Sequence, residues 1–536
     1  MNKTNIVIVA GGLGTRFKEL SVFPKILLPT STHNSILNEI QDSFCDYHET
    51  ISLIINERFY DMVKNYICVN NINNINLIKS TKVNGSLNSI MDVYEELPKE
   101  NVLFIWSDLI FNKETSNFIL SKCKETNKEY IVFCYDKGEY RYNLNDNLEF
   151  ENLSNKEIKN GNIPGIYFVK HFFFSTSVLE KKDNLDLLDY IIADTNNHKE
   201  KLEKQNINFL TEYRDLDTYI NVLKTHERKL AQTRFFNKLE IDKENKRVKK
   251  YAIHPDYYKI IDQEMKWYQF IENNLYKDKN VKRITPKIYN MDFESHSFEM
   301  EYLGDYIPLH EYLSNNSIDD IKKVYENIFA ALKEFATINM SVYQPDYEDD
   351  INKELYSKVI DRCEKIKYYL IEYNKDELSD ILNKVIEKFW RIEFEKNHDY
   401  AVMSNLIYTF CHGDLNGSNV MVNPNTKEIK FIDPRGYFGF SKNYGLQSYE
   451  YAKLLYALSG YDDFNLNPKI YKHDTINKFS YFKEFYNTYL DERHLILLGI
   501  IWIALAGYIS QDIIKANMAY EHGMKILKDF LNEHEK

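Results

Sequence analysis

Short apolar runs alternate with helical patterns through the first part of the chain. "NIVIVA" (Asn5–Ala10), "ISLIIN" (Ile51–Asn56), "INLIKS" (Ile75–Ser80), "NVLFIWSD" (Asn101–Asp108), "EYIVFCYD" (Glu129–Asp136) and "GIYFVK" (Gly165–Lys170) read as strands. Nearly continuous apolar strands between helices predict an open, mostly parallel sheet covered on both faces. Tyr219–Phe236 then reads as a charged helix without a Gly/Pro/Ser-rich linker, which predicts a stiff connection and a domain boundary near residue 230. Beyond it, "FNKLEIDKENKRVKKYAI" alternates polar and apolar positions around a "DKEN" turn, the pattern of a β-hairpin. A helix is expected from about Pro255 to Asn273, then a strand and hinge in "HSFEMEYLGDYIPLHEYL", and mainly helix from Ile318 onward. No internal repeat is visible.

A length of 536 residues suits two domains. With 44% hydrophobic and 28% charged residues, the chain has the balance of a protein with buried cores. The net charge of −12 argues against a broad grip on nucleic acid or on an acidic membrane, and leaves room for local basic pockets. The 6 cysteines show no CxxC or Cys/His metal spacing and read as reduced, mostly buried thiols. Met1–Thr4 leads straight into the first strand, so no signal peptide is expected. The run "LILLGIIWIALAGYI" (Leu495–Ile509) is shorter than the ~20 residues of a membrane span and reads as a core helix. Together these features predict a cytoplasmic protein with small-molecule partners, without nucleic acid or membrane insertion, and compatible with an oligomer. The excess of Tyr, Asn, Lys and Ile runs throughout and reads as compositional bias.

Candidate chemistry appears first where the opening strand ends in Gly11-Gly12-Leu13-Gly14-Thr15-Arg16. Such glycines let a backbone approach a triphosphate and aim N–H groups at it, and Arg16 adds a positive fork. The spacing is neither Walker A nor a Rossmann GxGxxG. Pro24-Lys25 follows in "FPKILLP". The ordered set GGxGTR…PK…LP resembles the signature of nucleotidyltransferases that make nucleoside-diphosphate sugars, CDP-choline and related compounds. The resemblance covers about the first 220 residues and implies a Rossmann-like α/β domain over residues 1–230.

It further implies that Gly11, Gly12, Gly14, Thr15 and Arg16 hold the NTP phosphates and that Lys25 contacts the incoming phosphate. Gly85 and Ser86, in "VNGSLNSI", would lie beside base and ribose. Asp108 would bind Mg²⁺, with Ser107 standing where the family has glycine. "NIPGIYFVK" resembles the strand that lines the acceptor pocket. "YRDLDTYINVL" resembles the closing segment that supplies a second metal carboxylate, in shortened form, and leaves Asp215 and Asp217 as alternatives.

A second set lies far downstream. In "HGDLNGSN" Asp414 is followed five positions later by Asn419, and 14 residues on, "IKFIDPRG" places Asp433 after an apolar strand. This is the logic of a kinase catalytic loop, with Asp414 taking the proton of the attacking hydroxyl and Asn419 and Asp433 binding Mg²⁺. His-Gly-Asp and Ile-Asp-Pro-Arg-Gly resemble the aminoglycoside phosphotransferase/choline kinase superfamily over about residues 235–536. That implies a bilobal, protein-kinase-like α+β domain over residues 231–536 acting on small molecules. Strand alternation puts Val248 and Lys250 on one face, which favours Lys250 over Lys249 as the ATP-phosphate lysine; Glu264 is its expected helix partner. His412 reads as a brace for the loop, and Arg435 as either a phosphate contact or a pin. Tyr444, Tyr449 and Tyr451 could cage a cationic head group, but in a chain with 42 tyrosines packing is the preferred reading.

One module makes phosphomonoesters and the other consumes them. The combined expectation is a bifunctional kinase/nucleotidyltransferase that uses ATP, a second NTP and Mg²⁺, with CTP slightly favoured. Its product would be an activated building block for a surface glycan such as capsule or lipopolysaccharide. Two rival readings are a sugar 1-kinase fused to a UDP- or GDP-sugar pyrophosphorylase, and a nucleotide-binding regulator with one inactive module.

Overall fold

The computed structural model describes residues 3–30, 35–47, 49–82, 85–137, 140–153, 161–172, 185–225, 237–277, 281–338, 346–395, 408–466 and 490–534. The boundary expected near residue 230, the end of the helix expected over Tyr219–Phe236, and Val83 and Asn84 lie outside the described residues. By its contacts the chain forms two units. Unit one is Met1–Glu227 with Lys365–Ile371 and Ile509–Ala516; unit two is Arg228–Glu364 with Glu372–Tyr508 and Asn517–Lys536.

Unit one is built on a seven-stranded sheet: β1 (Asn5–Ala10), β2 (Ile51–Asn56), β3 (Ile75–Ser80), β4 (Glu100–Trp106), β5 (Tyr130–Cys134), β6 (Ile166–His171) and β7 (Leu202–Asn206). The order is β7-β5-β6-β4-β1-β2-β3. Strands β4, β1, β2 and β3 are mutually parallel, and β7 is parallel to β5. Strand β6 runs antiparallel to both of its neighbours. Residues Ile6–Ala10 are all buried, as a central strand covered on both faces requires. Strand β7, "LEKQN", was not expected from the sequence. It is an edge strand in which Leu202 alone is fully buried, so its pattern is polar.

The helices start where strand ends supply caps. Asn56, the last residue of β2, accepts the Arg58 N–H and opens α2 (Glu57–Val69). Ser35 and Asn38 form a capping box at α1 (Ile36–Ser43). Leu87 and Ile90 of α3 (Ser86–Asp92) join Val7, Phe104 and Val132 of the sheet in one buried cluster.

Unit two begins with an antiparallel sheet of β8 (Asn237–Asp242), β9 (Arg247–Ala252), β10 (Ile288–Asp292) and β11 (Ser297–Glu301), in the order β8-β9-β11-β10. Asp242 accepts the Asn245 N–H and closes the first hairpin. After a single turn at Pro255–Tyr257 comes the helix Tyr258–Asn274, which buries Ile261, Glu264, Met265, Tyr268 and Ile271, the stripe of an amphipathic helix. The later part is mainly helical. The hairpin β12 (Val420–Val422) and β13 (Ile429–Phe431) interrupts it. The helix Glu492–Tyr508 carries the long apolar run and is buried nearly all round. No helix among the described residues is long and apolar enough to cross a membrane.

Candidate active sites

In unit one, parallel β1 and β4 bring their carboxyl ends side by side, with Val9 opposite Trp106. That edge is where open α/β sheets hold ligands. A cavity of about 330 Å³ lies there, and Gly11, Gly12, Gly14, Thr15, Arg16, Lys25, Gly85, Ser86 and Asp108 all line it. Gly11 has no room for a side chain, because a Cβ would run into Ser89. Gly85 is left-handed at φ 84°, and a Cβ there would strike the Leu185 backbone. Arg16, also lining the cavity, is exposed and, among the described residues, makes no ion pair.

Lys25 donates to Asp108 Oδ2 at 2.5 Å and to the Arg214 carbonyl at 3.3 Å. The expected phosphate contact and the expected metal carboxylate therefore meet as an ion pair inside the cavity. Neither Asp215 nor Asp217 lines it. Asp215 exchanges hydrogen bonds with Thr218 at the start of the helix Leu216–Thr225. Burial opposes its charge, but those bonds and the nearby Arg214 and Arg16 hold its carboxyl below the usual range. Asp217 is exposed in the first turn of the same helix.

Sequence reasoning missed Glu212 and Arg214. The strand Thr211–Glu212 pairs with Leu109–Ile110, placing Glu212 opposite Leu109, and the Tyr213 N–H donates to the Asp108 carbonyl. Burial and the Asp108 charge push the Glu212 carboxyl up to about 7, against Arg214, Tyr140 and Lys25. The available signal was the acidic residue in "TEYRD", just before the carboxylates that were singled out.

Among the described residues no group of three or more His, Cys, Asp and Glu could hold a metal ion alone. The Asp108 carboxylate lining the cavity still suits Mg²⁺, which is held by one or two carboxylates together with phosphate oxygens.

Residues 5–142 match the family model described as nucleotidyl transferase. Unit one thus carries a nucleotidyl transferase domain. Similar solved structures include a Bacillus anthracis protein described as a glucose-1-phosphate thymidylyltransferase, in complex with sucrose. It has 17% identity, covers 43% of this chain and 98% of its own, and has a TM-score of 0.35. An inositol-1-phosphate CTP transferase from T. maritima has 12% identity, 42% and 97% coverage and a TM-score of 0.33. A UDP-glucose pyrophosphorylase has 13% identity, 42% and 99% coverage and a TM-score of 0.35. No curated protein matches the chain.

Outside the nucleotidyl transferase domain, unit two holds the second set. On β9, Val248 and Lys250 are buried while Arg247 and Lys249 face out, following the strand alternation. The Lys250 ammonium lies 2.7 Å from Glu264 and 2.6 Å from Asp433. Burial alone would lower its pKa, but the two carboxylates outweigh burial and raise it. Asp433 follows β13 in the left-handed region at φ 56°, which few side chains other than Asp and Asn tolerate.

The loop bearing Asp414 is held from several directions. His412 Nδ1 accepts the Asp414 N–H at 3.3 Å, so its protonated Nε2 donates to the Ile432 carbonyl at 2.9 Å. The Asn419 amide donates to the Asp414 carbonyl at 2.8 Å and to its carboxylate at 3.2 Å. The Ile432 N–H donates to the Asn419 carbonyl, tying Asp433's neighbour to the same loop. His412 is a brace in this geometry.

Arg435 makes a bidentate pair with Glu354, 2.7 Å on each arm. It pins the segment after Asp433. Glu354 belongs to a π-helical turn, Asn352–Ser357, and also binds Lys358. Four residues earlier, Asp350 accepts from the Tyr408 hydroxyl and from the N–H groups of Phe440 and Ser441.

Sequence reasoning missed a further pair on the helix Gln447–Leu458. Glu450 accepts the N–H groups of His412 (3.1 Å) and Gly413 (2.7 Å), and Lys453 lies 3.1 Å from Asp414 Oδ1. Tyr444, Tyr449 and Tyr451 are all buried, packing against Phe410, Phe438 and Phe329 respectively. Their burial agrees with the packing reading, and the Tyr449 hydroxyl also donates to Glu354.

Proposed function

We propose that the chain is a bifunctional enzyme. Unit two transfers the γ-phosphoryl group of ATP to the hydroxyl of a small metabolite. Unit one couples the resulting phosphomonoester to a second NTP, with CTP favoured, and releases pyrophosphate. The product is a nucleoside-diphosphate-activated building block of the kind used for surface glycans.

The observation that carries the first half is the Lys25–Asp108 pair inside a glycine-rimmed cavity, within a domain matched to nucleotidyl transferases. An oxygen of the acceptor phosphate attacks the α-phosphorus, and the bond to the departing pyrophosphate breaks. Both reactants are anions, so Arg16 and Lys25 lower the repulsion between them and hold the charge that develops. No general base is needed, because a phosphate is already ionised near neutral pH. Mg²⁺, bound through Asp108 together with phosphate oxygens, would supply further charge neutralisation on the NTP phosphates.

Support for the second half is the convergence of Lys250, Glu264 and Asp433 beside a braced Asp414. In this reading Lys250 holds ATP phosphates, Asp433 and Asn419 would hold Mg²⁺, and Asp414 takes the acceptor proton.

The test supplies ATP, CTP, UTP, GTP and Mg²⁺ with amino alcohols, polyols and sugars, and looks by mass spectrometry for a nucleoside-diphosphate conjugate. Asp414→Asn should stop phosphorylation yet spare coupling of a supplied phosphomonoester. Asp108→Asn should do the reverse. Loss of both activities in either folded variant would sink the assignment of separate sites.

A further inference from the structure

The four residues between Asp414 and Asn419 are Leu415, Asn416, Gly417 and Ser418, so the loop itself contains no cation. Phosphoryl transfer gathers negative charge on the equatorial oxygens of the moving group, and catalysis rests largely on neutralising it. Two cations near the loop have fixed carboxylate partners. Lys250 is held by Glu264 and Asp433, and Arg435 by Glu354. Lys453 differs. It arrives from the helix Gln447–Leu458, its side chain is only 12% exposed, and its ammonium lies 3.1 Å from Asp414 Oδ1, the oxygen group assigned to take the acceptor proton. Its Nζ lies over the rings of Tyr449 and Tyr456, 5.9 and 5.1 Å from their centroids. One turn earlier on the same helix, Glu450 holds the His412 and Gly413 N–H groups. The helix that fixes the loop backbone therefore also delivers a cation to its acid.

A carboxylate tightly paired to an ammonium is a weak base. Lys453 must release Asp414 for proton transfer, and a lysine stem is long and flexible enough to swing toward a better anion. We propose that Lys453 is the residue that neutralises the transferred phosphoryl group in unit two, exchanging its pairing with Asp414 for the γ-phosphate when ATP binds. This rests on the phosphotransfer reading given above. In the step, the acceptor oxygen forms a bond to the γ-phosphorus as the β–γ bridging bond breaks. The electron pair leaves with ADP, the acceptor proton passes to Asp414, and Lys453 keeps its proton throughout.

The experiment uses the full chain with Mg·ATP and measures ADP release with choline, ethanolamine, glycerol, glucose or water alone as acceptor. Lys453→Met should lower kcat roughly 10²–10³-fold while KM for ATP stays within about threefold. Added ethylamine should partly rescue Lys453→Ala, a response that a purely structural role would not give. Lys453→Arg, which keeps the charge, should retain more activity than either. Melting temperature and far-UV circular dichroism report folding in each variant, and pyrophosphate release reports that the unit one site is intact. If Lys453→Met fails to fold, the Arg variant and the amine rescue carry the comparison. Wild-type ADP release with a near-normal kcat in Lys453→Met overturns this inference alone. No ADP release from wild type with any acceptor overturns the phosphotransfer reading, and this inference with it.

Discussion

The Glu212 carboxyl, pushed up to about 7 by burial and by Asp108, ties stability to pH at one residue. Its folded-state pKa lies above its unfolded value, so the folded chain holds this proton more tightly. Stability from this group is greatest in acid and falls as pH rises from the ordinary glutamate range toward about 7. Glu212→Gln should therefore gain melting temperature relative to wild type at about pH 8 and gain little at about pH 5, as thermal scans at both values would reveal. The opposite ranking would show that Glu212 is not desolvated. Lys25→Met should reduce pyrophosphate release roughly 10²–10³-fold under the proposed reaction, in which its charge faces the reacting phosphates. Legibility at this scale followed geometry. Alternation distinguished Lys250 from Lys249 because β9 has a buried and an open face. Lys453 and Glu450 lie on a helix in a Lys/Glu-rich chain, where such residues usually mark a solvated face. Only the packing reveals that Glu450 is buried.

Single elements position both candidate sites. Helix α3 begins at Gly85, whose φ of 84° and contact with the Leu185 backbone leave no place for a side chain. Gly85→Ala should destabilise unit one by about 1–3 kcal/mol, measurable by urea unfolding. A mutant as stable as wild type would show that the turn relaxes freely. In unit two the helical segment Tyr347–Ser357 presents Asp350 and Glu354 one turn apart to the stretch after Asp433. Glu354→Gln leaves Arg435 and Lys358 without their buried carboxylate. It should cost about 3–5 kcal/mol of stability in the same assay. The sequence could not announce this clamp, since its two halves, Glu354 and Arg435, lie 81 residues apart and no local pattern links them. Strands with apolar runs were legible. The antiparallel direction of β6 and the polar edge strand β7 were not, because direction and edge position are settled by neighbours and leave little trace in local periodicity.

At the scale of the whole molecule, the two units are not consecutive stretches of sequence. Lys365–Ile371 and Ile509–Ala516 belong to unit one although most of the surrounding chain belongs to unit two. A fragment ending near residue 230 therefore lacks part of its own unit. It should melt at least about 4 °C below the corresponding transition in the full chain, by circular dichroism. Equal melting would mean that the two segments add nothing to unit one. The chain crosses from one unit to the other at 227/228, 364/365, 371/372, 508/509 and 516/517. A protease nick near residue 230 would thus cut the thread without parting the cloth. Two bands would appear on a denaturing gel, while the native protein would still elute as one species, because the later piece lends Lys365–Ile371 and Ile509–Ala516 to unit one.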